Sequence, residues 1–281
     1  MTFDQLDIHI PDGTPLPEAL ARTTHLAIVA HPDDLELLAY HGIAAGYQQP
    51  DIWFTGIVIC DGAGSPRSGP FGHYSDTEMV AIRRQEQIAA AELGQYSAVI
   101  QLGVASAAVK AVSNAQLIDQ LWQLLNACQP TTLYLHNFID RHQTHVGCCL
   151  QSLAAVRKMA ATQRPLHILG GELWRDLDWL PTTYKAVLDV SPYPQLRQAL
   201  IGQFASQIAG GKQYDQAALA RSKAHATFAE SHQTDAVSAI SFALDLMPLV
   251  ADETLTVDDY WQTILTSFDR EVRAHWQAFN T

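Results

Sequence analysis

The stretch HLAIVA-HPDD-LELLAYHGIAAGY, residues 25–47, decides the fold. It opens with a short apolar run that includes β-branched residues, continues through a polar turn at 31–34, and becomes apolar again over helix length. A buried strand, a tight turn and a helix are the natural interpretation of this pattern. The sequence therefore predicts the first strand–helix unit of an α/β sheet, with a histidine and two aspartates at the end of the strand.

The same alternation continues along the chain. Further strands are predicted at 51–61, 97–103, 131–137, 166–171 and 183–190, and helices at 77–93, 117–128 and 145–159. Strands that alternate with helices of this length indicate βαβ units and a mostly parallel sheet covered on both faces. We predict an α/β fold in a single domain over 1–281, with its core at about 24–190 and a helical C-terminal part at about 191–281. The first 23 residues are predicted to be a polar arm.

Composition excludes some classes of function. The formal net charge is −12, from 29 acidic and 17 basic residues, which argues against a nucleic-acid partner because phosphate binding relies on clustered Lys and Arg. The N-terminus lacks the basic and apolar regions of a signal peptide, and no apolar run is long enough for a membrane span. We therefore expect a cytoplasmic protein with reduced, buried cysteines at positions 60, 128, 148 and 149. The sequence leaves homo-oligomerisation open.

Candidate ligands follow two of the predicted strands. In parallel α/β sheets, ligands bind outside the carboxyl ends of the strands. His31 and Asp34 lie three residues apart after the first strand, and His142 and His145 lie three residues apart at the start of a helix. Imidazole nitrogens with one carboxylate are the usual protein ligands of catalytic zinc. The pattern predicts a metal site at this edge of the sheet.

Two plainer interpretations compete with this one. Asp33 or Asp34 would suit the N-cap of the following helix, where a carboxylate accepts backbone N–H groups. Two consecutive aspartates favour function, because capping needs only one of them. His136, at the end of another strand, is better explained as a histidine hydrogen-bonded to a loop than as a ligand.

Three motifs stand out in the sequence: AHPDDLE at 30–36, RRQEQIAAAELG at 83–94 and DRHQTH at 140–145. Together they resemble the motifs of one family, the LmbE-like (PIG-L) N-acetylglucosaminyl deacetylases. AHPDDLE at 30–36 resembles the family's AHPDDxE signature, and DRHQTH at 140–145 resembles its second motif. Between them, RRQEQIAAAELG at 83–94 resembles the family's R-x-x-E helix and places Arg83 and Glu86 at its marked positions.

This resemblance covers about residues 24–190 and implies a Rossmann-like three-layer αβα fold, a Zn²⁺ cofactor and hydrolysis of an N-acetyl group on a glucosamine-type sugar or conjugate. It assigns Asp33 as the general base, His142 as the charged group that assists the oxyanion or the leaving amine, and Arg83 as a residue that orients the site. It assigns the zinc ligands to His31, Asp34 and His145.

The second motif departs from the family pattern. Gln143 and Thr144 stand where relatives carry Pro-Asp, and that aspartate orients the catalytic histidine. Asp140 is the remaining carboxylate that we expect to hold His142 in its charged form, since an opposite charge favours the cation. The glycine pair after the first motif is replaced by Tyr40-His41.

The substrate is not determined by these motifs. Alternatives to an N-acetylated sugar are a thiol conjugate, another non-sugar amide, or a metal-binding homologue with little activity. The glycine-rich loop at 62–76 and the segment at 170–180 are expected to decide between substrates, with Trp174 and Trp179 either stacking on a sugar ring or packing beneath the loop. A nucleotide-binding protein is disfavoured because no G-x-G-x-x-G follows the first strand.

Overall fold

A single eight-stranded sheet organises the chain in the computed structural model, which describes residues 3–64, 67–111, 113–277 and 279. The strand order is β1-β4-β3-β2-β5-β6-β8-β7. The strands are β1 (Asp7–His9), β2 (His25–Val29), β3 (Phe54–Cys60), β4 (Ala98–Val104), β5 (Thr132–His136), β6 (His167–Gly171), β7 (Lys185–Asp189) and β8 (Ile240–Asp245).

Helices connect and cover the strands. They are α1 (Leu16–Ala21), α2 (Asp34–Leu38), α3 (Tyr40–Gly46), α4 (Asp76–Leu93), α5 (Ser106–Val109), α6 (Ala115–Cys128), α7 (Gln143–Arg157), α8 (Pro194–Ile201), α9 (Ala205–Ile208), α10 (Tyr214–Phe228), α11 (Pro248–Ala251) and α12 (Val257–Gln277). Short 3-10 helices lie at Phe3–Gln5, Gly69–Phe71, Ala161–Gln163 and Thr182–Tyr184.

The centre of the sheet is parallel. β4, β3, β2, β5 and β6 run in the same direction, whereas β1, at one edge, is antiparallel to β4. At the other edge β8 is antiparallel to both β6 and β7. The predicted α/β class, with a mostly parallel sheet and a helical C-terminal region, is confirmed.

Apolar side chains fill both faces of the sheet. Successive residues of a strand point to opposite faces, so Leu26 and Ile28 of β2 enter one core cluster and Ala27 and Val29 enter the other. Residues of α6 and α7 complete the first cluster, and residues of α2, α3 and α8 belong to the second. Burial on both faces explains why the central strands read as continuous apolar runs.

Two strands were not predicted from the sequence. β1 has only three residues and lies in the segment that we expected to be a polar arm, which also contains α1. β8 lies in the C-terminal part that we expected to be helical, between the helices that this part does contain. Its residues Ile240–Leu244 are buried, so β8 shows neither polar alternation nor helical length.

The last helix packs on the body over only part of its length. Tyr260 and Ile264 of α12 are buried in the first core cluster. Farther along, Val272 and Trp276 are 44% and 47% exposed. In the described residues no helix is long and apolar enough to cross a bilayer. The four cysteines are all buried.

Two histidines, His25 at the start of β2 and His41 in α3, lead us to predict that the folded protein loses stability at acid pH. The Tyr134 hydroxyl lies 3.1 Å from Nδ1 of His25 and 2.7 Å from Nδ1 of His41. Burial, followed by the neighbouring His41, lowers the pKa of His25 from 6.5 to about 4. Below pH 6.5 the unfolded chain therefore takes up a proton that the folded chain refuses until about pH 4, so stability is lost as the pH falls through this window.

We expect His25→Gln to reduce that acid-induced loss of stability by on the order of 2 kcal/mol, after allowing for partial solvent screening. Urea unfolding at pH 7 and pH 4.5 measures the loss for each protein. The matched control is His73→Gln, at an exposed histidine, which should retain the full loss. An unchanged loss in His25→Gln would contradict the prediction.

Candidate metal centre

The turn after β2 brings two of the predicted ligands together. Oδ2 of Asp34 accepts a hydrogen bond from the backbone N–H of His31 at 2.8 Å and lies 3.2 Å from Nδ1 of the same residue. Neither aspartate of the motif caps α2 through its side chain: Asp33 occupies the N-cap position without a side-chain cap hydrogen bond. In this structure the capping interpretation is therefore wrong for Asp33.

The third predicted ligand comes from the first turn of α7. Nε2 of His145 lies 3.2 Å from Nδ1 of His31 and 3.4 Å from Oδ2 of Asp34. The three atoms form a nearly equilateral triangle. Ligand atoms about 2.0–2.1 Å from a tetrahedral zinc ion are separated by about 3.3–3.4 Å, so the triangle has the dimensions of one face of such a site.

The hydrogen-bonding state of His145 also suits a ligand. Its Nδ1 faces Oδ1 of Asp140 at 3.5 Å, which favours a proton on Nδ1 and a lone pair on Nε2. Burial, followed by His136, lowers the pKa of His145 to about 4, which keeps the imidazole neutral. Burial alone would raise the pKa of Asp34, but His145 and His136 hold it well below its usual range. One carboxylate and two imidazoles therefore converge on one point.

Two more histidines border this triangle. His142 combines with His31 and His145 in one group of potential ligands, and His136 combines with Asp34 and His145 in another. Nε2 of His136 accepts the backbone N–H of Ala30 at 3.0 Å, so this nitrogen is already used. The plainer interpretation of His136, a hydrogen bond to the backbone, therefore describes this contact.

Asp33 lies beside the triangle in a strained backbone conformation. Its φ is +92°, in the left-handed region that non-glycine residues rarely adopt, and such strain costs about 1–3 kcal/mol. The amide of the fully buried Gln87 supports it, because Oε1 of Gln87 accepts the Asp33 backbone N–H at 3.4 Å. Burial, followed by Asp34 and Glu36, raises the pKa of the Asp33 carboxyl well above its usual range.

Asp140 acts on His142 in the predicted direction, since its charge raises the pKa of that ring, but burial and His31 outweigh it. Oδ1 of Asp140 accepts the backbone N–H of His142 at 2.8 Å and faces the ring of His145, while Oδ2 accepts the backbone N–H of Trp174 at 3.2 Å. Asp140 therefore fixes the motif's backbone and orients His145. Burial, followed by His31, lowers the pKa of His142, so the surroundings of this ring do not favour the charged form.

Arg83 lies behind the site. It is fully buried, its Nη1 donates to the carbonyl of Gly62, and its Nη2 lies 3.5 Å from Oε1 of Gln207. Gly62 has φ +76°, and a Cβ there would lie 2.9 Å from Cδ of Arg83, so glycine is required at this contact. Glu86, the other marked residue of this helix, accepts hydrogen bonds from the backbone and hydroxyl of Ser206. This motif thus ties the loop after β3, and α9, to α4.

A cavity of about 730 Å³ opens over the triangle, a volume typical of small-molecule sites. His31, Asp33, Asp34 and His142 line its floor, together with Trp174 on its side. Trp179 lies elsewhere, with its ring edge-on to those of Trp261 and Phe268 in α12. The described part of the loop at 62–76 contributes Gly62 and Gly64.

Sequence reasoning missed a second set of cavity residues. They come from the residue after α5, from α9, from the segment before α10 and from α10 itself: Lys110, Gln207, Lys212, Tyr214 and Arg221. No motif marks them, because they lie far apart in the sequence and meet only in the folded chain. The metal ligands and catalytic residues inferred from the motifs stay predictions, although the fold places all of them except Arg83 in or directly against the triangle.

Comparison with known proteins supports the resemblance. The family model of the GlcNAc-PI de-N-acetylases (PIG-L) matches residues 26–156, which include β2, the HPDD turn and the second motif. Among curated proteins, none matches the chain.

Several solved structures share the fold. N,N′-diacetylchitobiose deacetylase from Pyrococcus horikoshii is 16% identical, with a TM-score of 0.63 over 86% of this chain and 90% of that one. The 4-carboxy-2-hydroxymuconate hydratase from Pseudomonas putida KT2440 is 18% identical, with a TM-score of 0.64 over 83% and 99%. The A40926 pseudoaglycone deacetylase is 18% identical, with a TM-score of 0.57 over 80% and 97%.

These neighbours are named for two different reactions, deacetylation and hydration, so the shared fold alone does not specify the chemistry. The likeness to the PIG-L, or LmbE-like, family rests instead on the three motifs, on their order along the chain and on the match of the family model to residues 26–156.

Proposed function

We propose that the protein is a zinc-dependent N-deacetylase. Its substrate is an N-acetyl amide on a glucosamine-type sugar or sugar conjugate, and its products are acetate and the free amine. The observation that carries this proposal is the triangle of Nδ1 of His31, Oδ2 of Asp34 and Nε2 of His145, which borders a cavity of substrate size next to a further carboxylate, Asp33. The family match supports the amide as the bond that is cleaved.

The donor set suits zinc, since two imidazoles and one carboxylate leave a position open in a tetrahedral site. When bound there, zinc polarises the amide carbonyl and makes water more acidic. The reaction also requires a group that accepts the proton of the attacking water and a donor to the oxyanion or the departing nitrogen. Two residues of the cavity, Asp33 and His142, are candidates for these roles.

Asp33 takes the proton from the attacking water. A general base works best when its pKa lies near the working pH, and burial moves the pKa of Asp33 upwards in that direction. His142 lies across the triangle, with its ring centre 5.1 Å from that of His31. As a neutral imidazole it donates one hydrogen bond, to the developing oxyanion or to the departing nitrogen.

The test combines metal analysis with acetate release. We expect about one zinc per chain and acetate release from N-acetylglucosamine or its conjugates. Activity should be lost after chelation and restored by added zinc. Non-sugar N-acetyl amides and N-acetylated thiol conjugates serve as the comparison substrates. Zinc-independent release, or release only from non-sugar amides, would contradict the proposed function.

The position of Asp140 leads to a prediction about metal affinity. A carboxylate that orients a ligating histidine typically contributes about 10–100-fold to metal affinity. We expect Asp140→Asn to weaken zinc binding by about this factor, because the amide is a poorer acceptor for the Nδ1 proton of His145. Competition with a chromogenic chelator measures the affinity.

The matched control is Asp119→Asn, at an exposed carboxylate paired with Lys158 on the surface, and it should bind zinc like the parent protein. Unchanged affinity in Asp140→Asn would show that the contact with His145 does not support the metal. A shift confined to the alkaline limb of the pH–rate profile would restore the original prediction that Asp140 acts on His142.

A further inference from the structure

We propose that the cavity carries a subsite for an anionic group, a carboxylate or phosphate, on the part of the substrate that is not hydrolysed. Its residues are Lys110, Lys212 and Arg221. The proposal rests on the proposed function, because it takes the acetamide to lie at the metal end of the cavity. It adds that the preferred substrate is a negatively charged glycoside.

The distribution of charge in the cavity is the first argument. The chain as a whole has 29 acidic and 17 basic residues. Among the described residues that line the cavity, the only carboxylates are Asp33 and Asp34, both at the metal end, whereas the other charged residues are all cationic. Cationic side chains that line a cavity raise the local concentration of anionic ligands there, even when the protein as a whole is acidic.

These cations are available to a ligand. None of the three forms an ion pair with a carboxylate in the described part of the chain. Nη1 of Arg221 donates to the carbonyl of Leu173 at 2.5 Å, which positions the guanidinium without neutralising it. The nearby carboxylate of Glu172 is occupied by the backbone N–H groups of Leu177 and Phe242.

A row of contacts joins the metal end to the cationic end. The ring of His142 stacks on that of Trp174, with the centres 6.5 Å apart, and Nζ of Lys212 lies 5.3 Å from the centre of the Trp174 ring. The ring of Tyr214 stands edge-on to Trp174 at 5.9 Å. An indole face between the two ends is a surface on which a sugar ring can lie, so the acetamide and the charged group would occupy opposite ends of the same molecule.

Three glycosides test the subsite: methyl N-acetylglucosaminide, its carboxymethyl counterpart, and N-acetylglucosamine 1-phosphate. Calorimetry on the zinc-loaded protein measures binding, and acetate release measures turnover. We expect at least one of the anionic glycosides to bind roughly tenfold more tightly than the methyl glycoside, with the preference reduced at high salt. The stronger of the two identifies the anion.

Lys212→Gln and Lys110→Gln should each remove most of the preference while leaving binding of the methyl glycoside nearly unchanged. Both side chains are exposed, so neither substitution should affect folding. Lys223→Gln is the matched control, at an exposed lysine of α10 that does not line the cavity, and it should retain the preference.

Equal binding of all three glycosides, or a preference that survives both substitutions, would overturn the subsite. Acetate release from the methyl glycoside as efficient as from the anionic ones would refute the subsite and leave the deacetylase proposal intact. Tighter binding of the anionic glycosides without acetate release from any would refute the deacetylase proposal and leave the subsite intact.

Discussion

Asp33→Asn should retain zinc and lose about 10²–10⁴-fold in the rate of acetate release. Asn has nearly the same shape as Asp but cannot accept the proton of the attacking water. It is also among the residues that best tolerate the left-handed backbone found at position 33, so the fold should persist. Zinc content and kcat are measured on the same preparation.

Asp51→Asn is the matched control, because this exposed aspartate lies before β3, at the end of the sheet opposite the cavity. Its zinc content and kcat should equal those of the parent protein. If Asp33→Asn loses zinc as completely as Asp34→Ala does, then the two aspartates have exchanged the roles proposed here. A nearly unchanged kcat with full zinc would exclude Asp33 as the base.

His145→Ala should lose the metal itself. The substitution removes one of three protein ligands, so we expect zinc affinity to fall by more than about 100-fold, beyond the loss caused by disturbing an outer residue, and acetate release to become undetectable. His145 is fully buried, and a thermal unfolding curve therefore accompanies the metal analysis to show that the variant is folded.

The control is His167→Ala, an exposed histidine at the first position of β6 and again at the far end of the sheet. It should retain zinc and activity. Full zinc content in folded His145→Ala would refute the ligand assignment. In that case His142, which shares a potential ligand group with His31, would be the next residue to test.

The order of the central strands and helices was predictable because each of them is determined by the pattern of residues within its own segment. The apolar run at 25–30, followed at once by the HPDD turn, has only one compact interpretation, and β2 and α2 appear where it places them. It was also predictable that His31, after β2, and His145, in the first turn of the helix that follows β5, would lie at the same edge, because parallel strands deliver their carboxyl ends to one edge.

The features of the site that could not be predicted from the sequence depend on contacts between distant parts of the chain. Asp140 was assigned to His142 alone because the two are neighbours in sequence, but its carboxylate accepts the backbone N–H of His142 and faces the ring of His145, one helical turn farther on. The cationic residues of the cavity come from three separate segments with no common motif. The sequence could not show which of Trp174 and Trp179 lines the cavity. In the structure Trp174 does, and Trp179 packs against Trp261.

The position of β8 has a consequence for how the chain acquires its structure during synthesis. In the sheet, β8 lies between β6 and β7 and pairs with both. In the sequence, β8 comes more than fifty residues after the end of β7, so both of its partner strands are synthesised well before it. Until residues 240–245 leave the ribosome, β6 presents an open edge that other chains can pair with. Pairing across so long a sequence separation is slow. The nascent chain should therefore depend on chaperones over this interval, and a protein shortened at the end of β7 should aggregate rather than fold.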